Sequence, residues 1–213
     1  TCYLMYTADY IKHSFHFKSP AGTSRGVLSK KDSWFVVLSD IADPGLTGIG
    51  ECSLIPGLSY DDRDDFETKL AEVCDLLNSG EDPGDIPLHD FPSIQFGIET
   101  AVKDIETGGE RILFPSDFTR GESGIPINGL IWMGNKQRML DQISDKITRG
   151  YRVIKMKVGA LSFSDELEIL HTVRTSPGGD IPEIRLDANG AWEPAEALDK
   201  ISRLSEYNIH SIE

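Results

Sequence analysis

Residues 151–159, YRVIKMKVG, read as an apolar strand interrupted by two lysines two positions apart. Side chains alternate across a strand, so Val153, Lys155 and Lys157 share one face, and Ile154, Met156 and Val158 share the other. If both faces were covered, two ammonium groups would enter the same interior at considerable cost. Either the strand is an exposed edge or the lysines do chemistry. The flanking sequence bears on that choice.

Outward from this strand the chain keeps a regular rhythm. IPINGLIW (125–132) is strand-like, and QRMLDQISDKI (137–147) places Leu140, Ile143 and Ile147 on one helical face. After the lysine strand, DELEILHTV (165–173) aligns Leu167, Leu170 and Val173. EIRLDAN (183–189) is a strand, EPAEALDKISRLSEY (193–207) is a helix opened by Pro194, and IHSIE (209–213) begins another strand. Strands starting near 125, 151, 182 and 209 repeat at about the 30-residue spacing of a βα unit. Such alternation predicts a parallel sheet, either open and doubly wound or a (β/α) barrel. No glycine-rich phosphate fingerprint follows the first strand, which weakens the nucleotide-binding version.

The first half has another texture. LMYTADYIKHSFHF (4–17) and SWFVVLSDIA (33–42) are strand-like, and TGIGECS (47–53) is a short strand containing glycine. DDFETKLAEVCDLLNSG (64–80) spaces Phe66, Leu70, Val73 and Leu77 as a helix stopped by Gly80. SIQFGIETAVKDIETGG (93–109) is a second helix, stopped by Gly108 and Gly109. Strands followed by helices predict an α+β unit.

The polar residues fall at strand ends. Lys155 and Lys157 close one strand, Asp187 the next, and Glu213 the fourth; Arg185 shares a face with Asp187. In a (β/α) barrel this is the end where catalytic groups gather. Two carboxylates beside lysines point to a hard divalent cation such as Mg²⁺, which takes oxygen ligands. Each residue also has an ordinary reading. Asp187 precedes the turn pair Asn189-Gly190, a Lys-x-Lys pair suits a solvated edge strand, and a terminal Glu213 is of little weight alone. It is the set, in this order, that resists dismissal.

Composition narrows the function classes. A formal net charge of −14 over 213 residues disfavours nucleic acid and anionic membranes as partners, yet leaves room for a small anionic substrate. No run is long and apolar enough to span a membrane. Cys2, Cys52 and Cys74 show neither ligand spacing nor an even count, which argues for a reducing, cytoplasmic setting. The five histidines show no ligand spacing. DDRDD (61–65) reads as a solvated helix start.

The strand IKMKVG, the strand RLDANGAW and the terminal HSIE together resemble the enolase superfamily, in its muconate-lactonising branch. GIGECS and SIQFGIETAVKD match that branch in order and position. The stretch KHSFHFKSPAGTSRGVLSKKDSWFVVL, with INGLIW, resembles the branch's o-succinylbenzoate synthase family of the menaquinone pathway. The resemblance implies an α/β protein: an α+β capping domain (1–122) followed by a (β/α)₇β modified TIM barrel (123–213), of which only the first four strands are present. The family's third carboxylate ligand and opposing lysine would lie beyond residue 213. The chain is therefore expected to be part of a longer protein, and by itself poorly stable and inactive.

The resemblance also implies roles. Lys157 would be the acid/base lysine and Lys155 its cationic neighbour, which would disfavour the ammonium form of Lys157. Asp187 and Glu213 would be Mg²⁺ ligands, and Asn189 an orienting residue. Arg25, in a capping loop around Ser24 and Gly26, would face the substrate's succinyl carboxylate, and Trp132 its ring; a solvated arginine and a core tryptophan are the ordinary alternatives. The implied activity is a lyase reaction: dehydration of 2-succinyl-6-hydroxy-2,4-cyclohexadiene-1-carboxylate through α-proton abstraction and an enediolate. The pairing of a Lys base with Mg²⁺ is itself a known pattern of this superfamily. N-acylamino-acid racemisation, dipeptide epimerisation and a non-catalytic metal-binding role remain alternatives at this stage.

Overall fold

A computed structural model of the chain describes residues 5–23, 26–175 and 183–213, with the side chains of Ser19 and of residues 21–23 left aside. Apart from the short Gly22–Gly26 stretch, these residues divide into two compact units between Gly124 and Ile125.

The first unit opens with β1 (Tyr6–Thr23), β2 (Gly26–Asp40) and β3 (Thr47–Ser53), in the sheet order β1-β2-β3 with β2 and β3 antiparallel. Two helices follow, α1 (Phe66–Asn78) and α2 (Pro92–Glu106). Period-two alternation puts Trp34, Val36 and Leu38 on the buried face of β2. They join Phe66, Leu70, Val73 and Leu77 of α1 and Ile94, Ile98, Ala101 and Ile105 of α2 in one core. Gly80, Gly108 and Gly109 take positive φ just past the helix ends, a conformation that ends a helix readily.

Helix α2 lies directly on β3, and glycine makes the contact possible. A Cβ on Gly50 would stand 1.7 Å from the Gly97 carbonyl oxygen, and one on Gly48 would stand 1.9 Å from that of Ala101. Buried acids then fasten the helix. Asp61 accepts from Ser93 N–H and Oγ at 2.7 and 2.9 Å, capping the start of α2. Asp104, fully buried, accepts from Ile49 N–H at 3.0 Å and Arg111 N–H at 2.8 Å, and pairs with the Arg111 guanidinium. Asp61 therefore departs from the expectation of a solvated acidic run: it is buried and supplies the cap that Phe91, at the start of α2, does not.

The second unit contains β4 (Gly129–Ile131), α3 (Lys136–Thr148), β5 (Val153–Lys157), α4 (Phe163–Thr175), β6 (Glu183–Asp187), α5 (Pro194–Ser205) and β7 (Ser211–Ile212). The four strands are parallel, in sequential order β4-β5-β6-β7. Ile131, Ile154, Met156, Val158, Ile184 and Leu186 form one cluster with Met139 and Ile143 of α3, Leu167, Leu170 and Val173 of α4, and Leu204 of α5. All three helices thus cover the same face. With no reversal of strand order, this is single winding rather than the doubly wound alternative. On α3, Ile143 is buried and Leu140 packs against the core as their spacing predicts, Met139 joins them, and Ile147 is exposed.

Gly50→Ala is expected to lower stability by about 3 kcal/mol, the upper range for forcing atoms into a packed contact, because the methyl group meets backbone. Urea unfolding of the variant beside wild type measures it.

Candidate active site

The face of the parallel sheet opposite its helices carries the charges. Lys155 pairs with Arg185, and Lys157 with Asp187, across β5 and β6; Arg185 pairs with Ser211 across β6 and β7. Glu213 lies one residue past β7, its N–H donating to Leu186 O and its O accepting from Ala188 N–H, both at 3.0 Å. The ladder therefore brings Lys157, Asp187 and Glu213 into one row at the C-terminal strand ends, with Lys155 one row behind.

The side chains close a network. Lys157 Nζ donates to Asp187 Oδ2 at 2.6 Å and to Asn189 Oδ1 at 2.8 Å. Lys155 Nζ lies 2.6 Å from Glu213 Oε2 and 3.0 Å from Asp187 Oδ2. The other oxygen of Asp187 accepts from Asn189 N–H at 3.0 Å. Asn189 and Gly190 both have positive φ, and Ala191 N–H donates to Ala188 O, so the Asn-Gly pair forms the predicted tight turn. Asp187 thus combines its ordinary role as a turn acceptor with the ion cluster.

The electrostatics follow from this geometry. Burial opposes ionisation of Asp187, but hydrogen bonds from Lys157, Lys155 and Asn189 N–H outweigh it and pull the carboxyl down to about 2. Lys155 moves above its ordinary value because it donates to Glu213 and then to Asp187, against a smaller opposing effect of burial. Lys155 is thus a cationic neighbour of Lys157 that carries its own carboxylate partners. Each lysine has a carboxylate partner, so its charge is answered locally.

Asp187 and Glu213 also bear on a metal. Both reach the same cationic nitrogen, so two hard oxygen donors already converge on one positive charge. This donor set fits Mg²⁺, which is often held by one or two carboxylates with water and substrate completing the shell. Among the described residues no group of three His, Cys, Asp or Glu gathers to hold a metal ion.

Trp132 stands apart from the network. It follows β4 with 39% of its surface exposed, so it is not a core tryptophan. Its N–H donates to Gln142 Oε1 at 2.9 Å, and its O accepts from Gln142 Nε2 at 3.0 Å, which ties the strand end to α3. Arg25, with Ser24, lies outside the described residues, as does Cys2. Cys52 and Cys74 are free and buried. Sequence reasoning missed Gln142 and the buried Glu166, whose partners are backbone groups that no residue pattern advertises.

Comparison with known proteins places this geometry. Residues 138–213 match the family model "Enolase C-terminal domain-like". An o-succinylbenzoate synthase of Desulfotalea psychrophila is 40% identical over 96% of this chain and 63% of its own length. The crystal structure of MenC from Desulfotalea psychrophila LSv54 superposes with a TM-score of 0.73 at 34% identity, over 97% of this chain and 63% of that one. An o-succinylbenzoate synthase from Thermosynechococcus elongatus BP-1, complexed with Mg in its active site, shares the fold with a TM-score of 0.74 at 24% identity, over 97% of this chain and 59% of that one. Epimerases and a racemase also match, at lower identity. The fold is that of the enolase superfamily. Within that class the chain is similar to o-succinylbenzoate synthase, and it spans less than two thirds of the length of the relatives named here.

In metal-free protein, the stability contributed by Asp187 is complete above its ordinary pKa of 3.8 and is lost as pH falls toward about 2. Asp187→Asn is expected to make stability less steep in pH across that interval, as read from urea unfolding in the presence of a chelator.

Proposed function

We propose that the whole protein dehydrates 2-succinyl-6-hydroxy-2,4-cyclohexadiene-1-carboxylate to o-succinylbenzoate, as a step of menaquinone biosynthesis in the cytoplasm. The observation that carries this reading is the Lys157–Asp187–Asn189 contact set beside Lys155 and Glu213, in a chain 40% identical to an o-succinylbenzoate synthase. In this reading residues 1–122 cap a (β/α)₇β barrel whose first four strands begin at 123.

Lys157 is the base. As a neutral amine it has two hydrogens and one lone pair, and Asp187 Oδ2 and Asn189 Oδ1 stand ready to accept those two hydrogens. The lone pair is then left for the proton α to the substrate carboxylate. Proton removal leaves an electron pair delocalised into that carboxylate. Asp187 and Glu213 would hold Mg²⁺, which when bound would supply positive charge to offset the charge growing on the carboxylate oxygens. The Lys157 ammonium then returns its proton to the β-hydroxyl, which departs as water as the ring becomes aromatic. Base and acid are one residue acting in turn, so Lys157 ends as it began. Lys155 adds positive charge one row behind and attracts the anionic substrate. In this reading Arg25 would bind the succinyl carboxylate and Trp132 would meet the ring.

A second reading draws on the epimerase and racemase relatives. Those reactions also start by removing an α proton, so Lys157, Asp187 and Glu213 would serve them equally. Exchange of the α hydrogen of N-acylamino acids or dipeptides in heavy water, without loss of the cyclohexadiene, would select it.

The full-length gene product is expected to consume the cyclohexadiene, followed by ultraviolet absorbance, with Mg²⁺ present, and to stop on chelation. Lys157→Ala is expected to lower kcat by about 10³-fold, within the range for a lost general acid–base, while leaving the fold intact by circular dichroism. A chelator-insensitive rate, or a Lys157→Ala rate equal to wild type, would overturn the proposal.

A further inference from the structure

The turn that leads away from Lys157 is organised around one buried side chain. Glu166 lies in the first turn of α4 and is 1% exposed. Its Oε1 accepts from Gly159 N–H at 2.6 Å and reaches Leu161 N–H at 3.4 Å. Burial pushes this carboxyl above its ordinary value, against the pull of the N–H groups of Gly159, Leu161 and Ala160. Gly159 has φ +91°, and a Cβ there would stand 2.5 Å from Ala191 Cβ. The turn after Lys157 is therefore seated on the turn after Asp187. Val158 N–H donates to Asp187 O at 3.0 Å, so the two strands stay joined past the ion cluster.

We propose that Glu166 is a positioning residue: its buried carboxylate gathers the backbone N–H groups of the 159–161 turn and thereby fixes the strand end from which Lys157 projects. Lys157 sits two residues before the nearest backbone group that Glu166 holds. A lysine side chain has four flexible carbons, and Lys157 must still meet acceptors at 2.6 and 2.8 Å. That precision depends on a backbone that does not drift. A buried carboxylate is a costly way to close a surface turn, and an apolar residue on α4 would pack there at less cost. What the carboxylate adds is a fixed arrangement of consecutive N–H groups beside the proton-transfer lysine. The turn geometry stands by itself; the consequence for turnover rests on the reading of Lys157 as the base.

The test uses the full-length protein loaded with Mg²⁺ and three variants. Glu166→Ala removes the acceptor. Glu166→Gln keeps the acceptor oxygen and the shape. Glu166→Asp keeps the charge but withdraws it by one methylene. Amide exchange over residues 159–161, acylation of Lys157 by an anhydride at fixed pH, and kcat and KM are measured for each. Glu166→Ala is expected to speed exchange in the turn, alter the acylation rate of Lys157 and lower kcat by up to about 10²-fold, the scale for an ångström of misplacement, with KM nearly unchanged. Glu166→Gln should restore all of these close to wild type. If Glu166→Ala does not fold, Glu166→Asp is expected to show the same kcat loss and faster exchange. Unchanged exchange in the turn would overturn the proposal. So would faster exchange with wild-type acylation and kcat, or a Glu166→Gln variant as impaired as the others. If wild type does not turn over the cyclohexadiene, the reaction reading fails, and exchange and Lys157 acylation still decide the role of Glu166.

Discussion

Two ammonium groups project from one face of β5, and they are only partly exposed, with 22% of the Lys155 side chain and 15% of the Lys157 side chain reaching solvent. Charge in that position needs an answer within the same face, since a partly buried ion left unpaired costs several kcal/mol. The parallel ladder supplies it. In register, Asp187 arrives beside Lys157, and one strand further Glu213 arrives within reach of Lys155. The opposite face of the same strands is wholly apolar and covered by three helices. One alternation thus serves both the core and the charged cluster: on β5 and β6 the ions stand at odd positions and the packing at even ones. A one-residue slip of β5 against β6 would put Met156 among the charges and bury lysine under α4.

That alternation is why much of the second unit was legible in the sequence. VIKMK and EIRLD state their two faces residue by residue, and Pro194 and Gly80 mark helix ends by rules that need no tertiary information. The convergence of Lys157, Asp187 and Glu213 followed from placing strand ends side by side, while Asn189 entered through the family resemblance. Other features were hidden for a physical reason. Ile147 fits a helical stripe by spacing, yet it lies in the last turn of α3 and is exposed. Asp61 looked like one more solvated acid of an acidic run, yet it caps a helix that begins more than two dozen residues later. The pairing of Lys155 with Glu213 spans 58 positions, a distance over which no local pattern operates.

The first unit shows the same division between what spacing reveals and what contact decides. TGIGECS reads only as a short strand containing glycine. Its Gly48 and Gly50 bring β3 against the backbone of α2, and Gly97 answers from the helix side. Asp104 then ties the far end of α2 to Ile49 and Arg111. The unit is thus held by backbone proximity and two buried acids as well as by its apolar core.

Buried acids recur in both units, and their partners separate them. Asp61 and Glu166 accept from backbone N–H groups, with a serine hydroxyl added at Asp61; Asp104 adds one arginine to its backbone partners. Groups so engaged work as fixed fittings: they end helices, close turns and hold loops. Asp187 divides its oxygens. Oδ1 is spent on the Asn189 N–H, which fixes its direction, while Oδ2 faces two ammonium groups. The backbone bond orients the carboxylate, and the second oxygen stays turned toward the two lysines; in the proposed reading that oxygen would serve the metal and the base. In the sequence all four are acids near the end of an element. The distinction lies in what each oxygen faces, and among these four Asp187 is the one whose second oxygen faces two lysines.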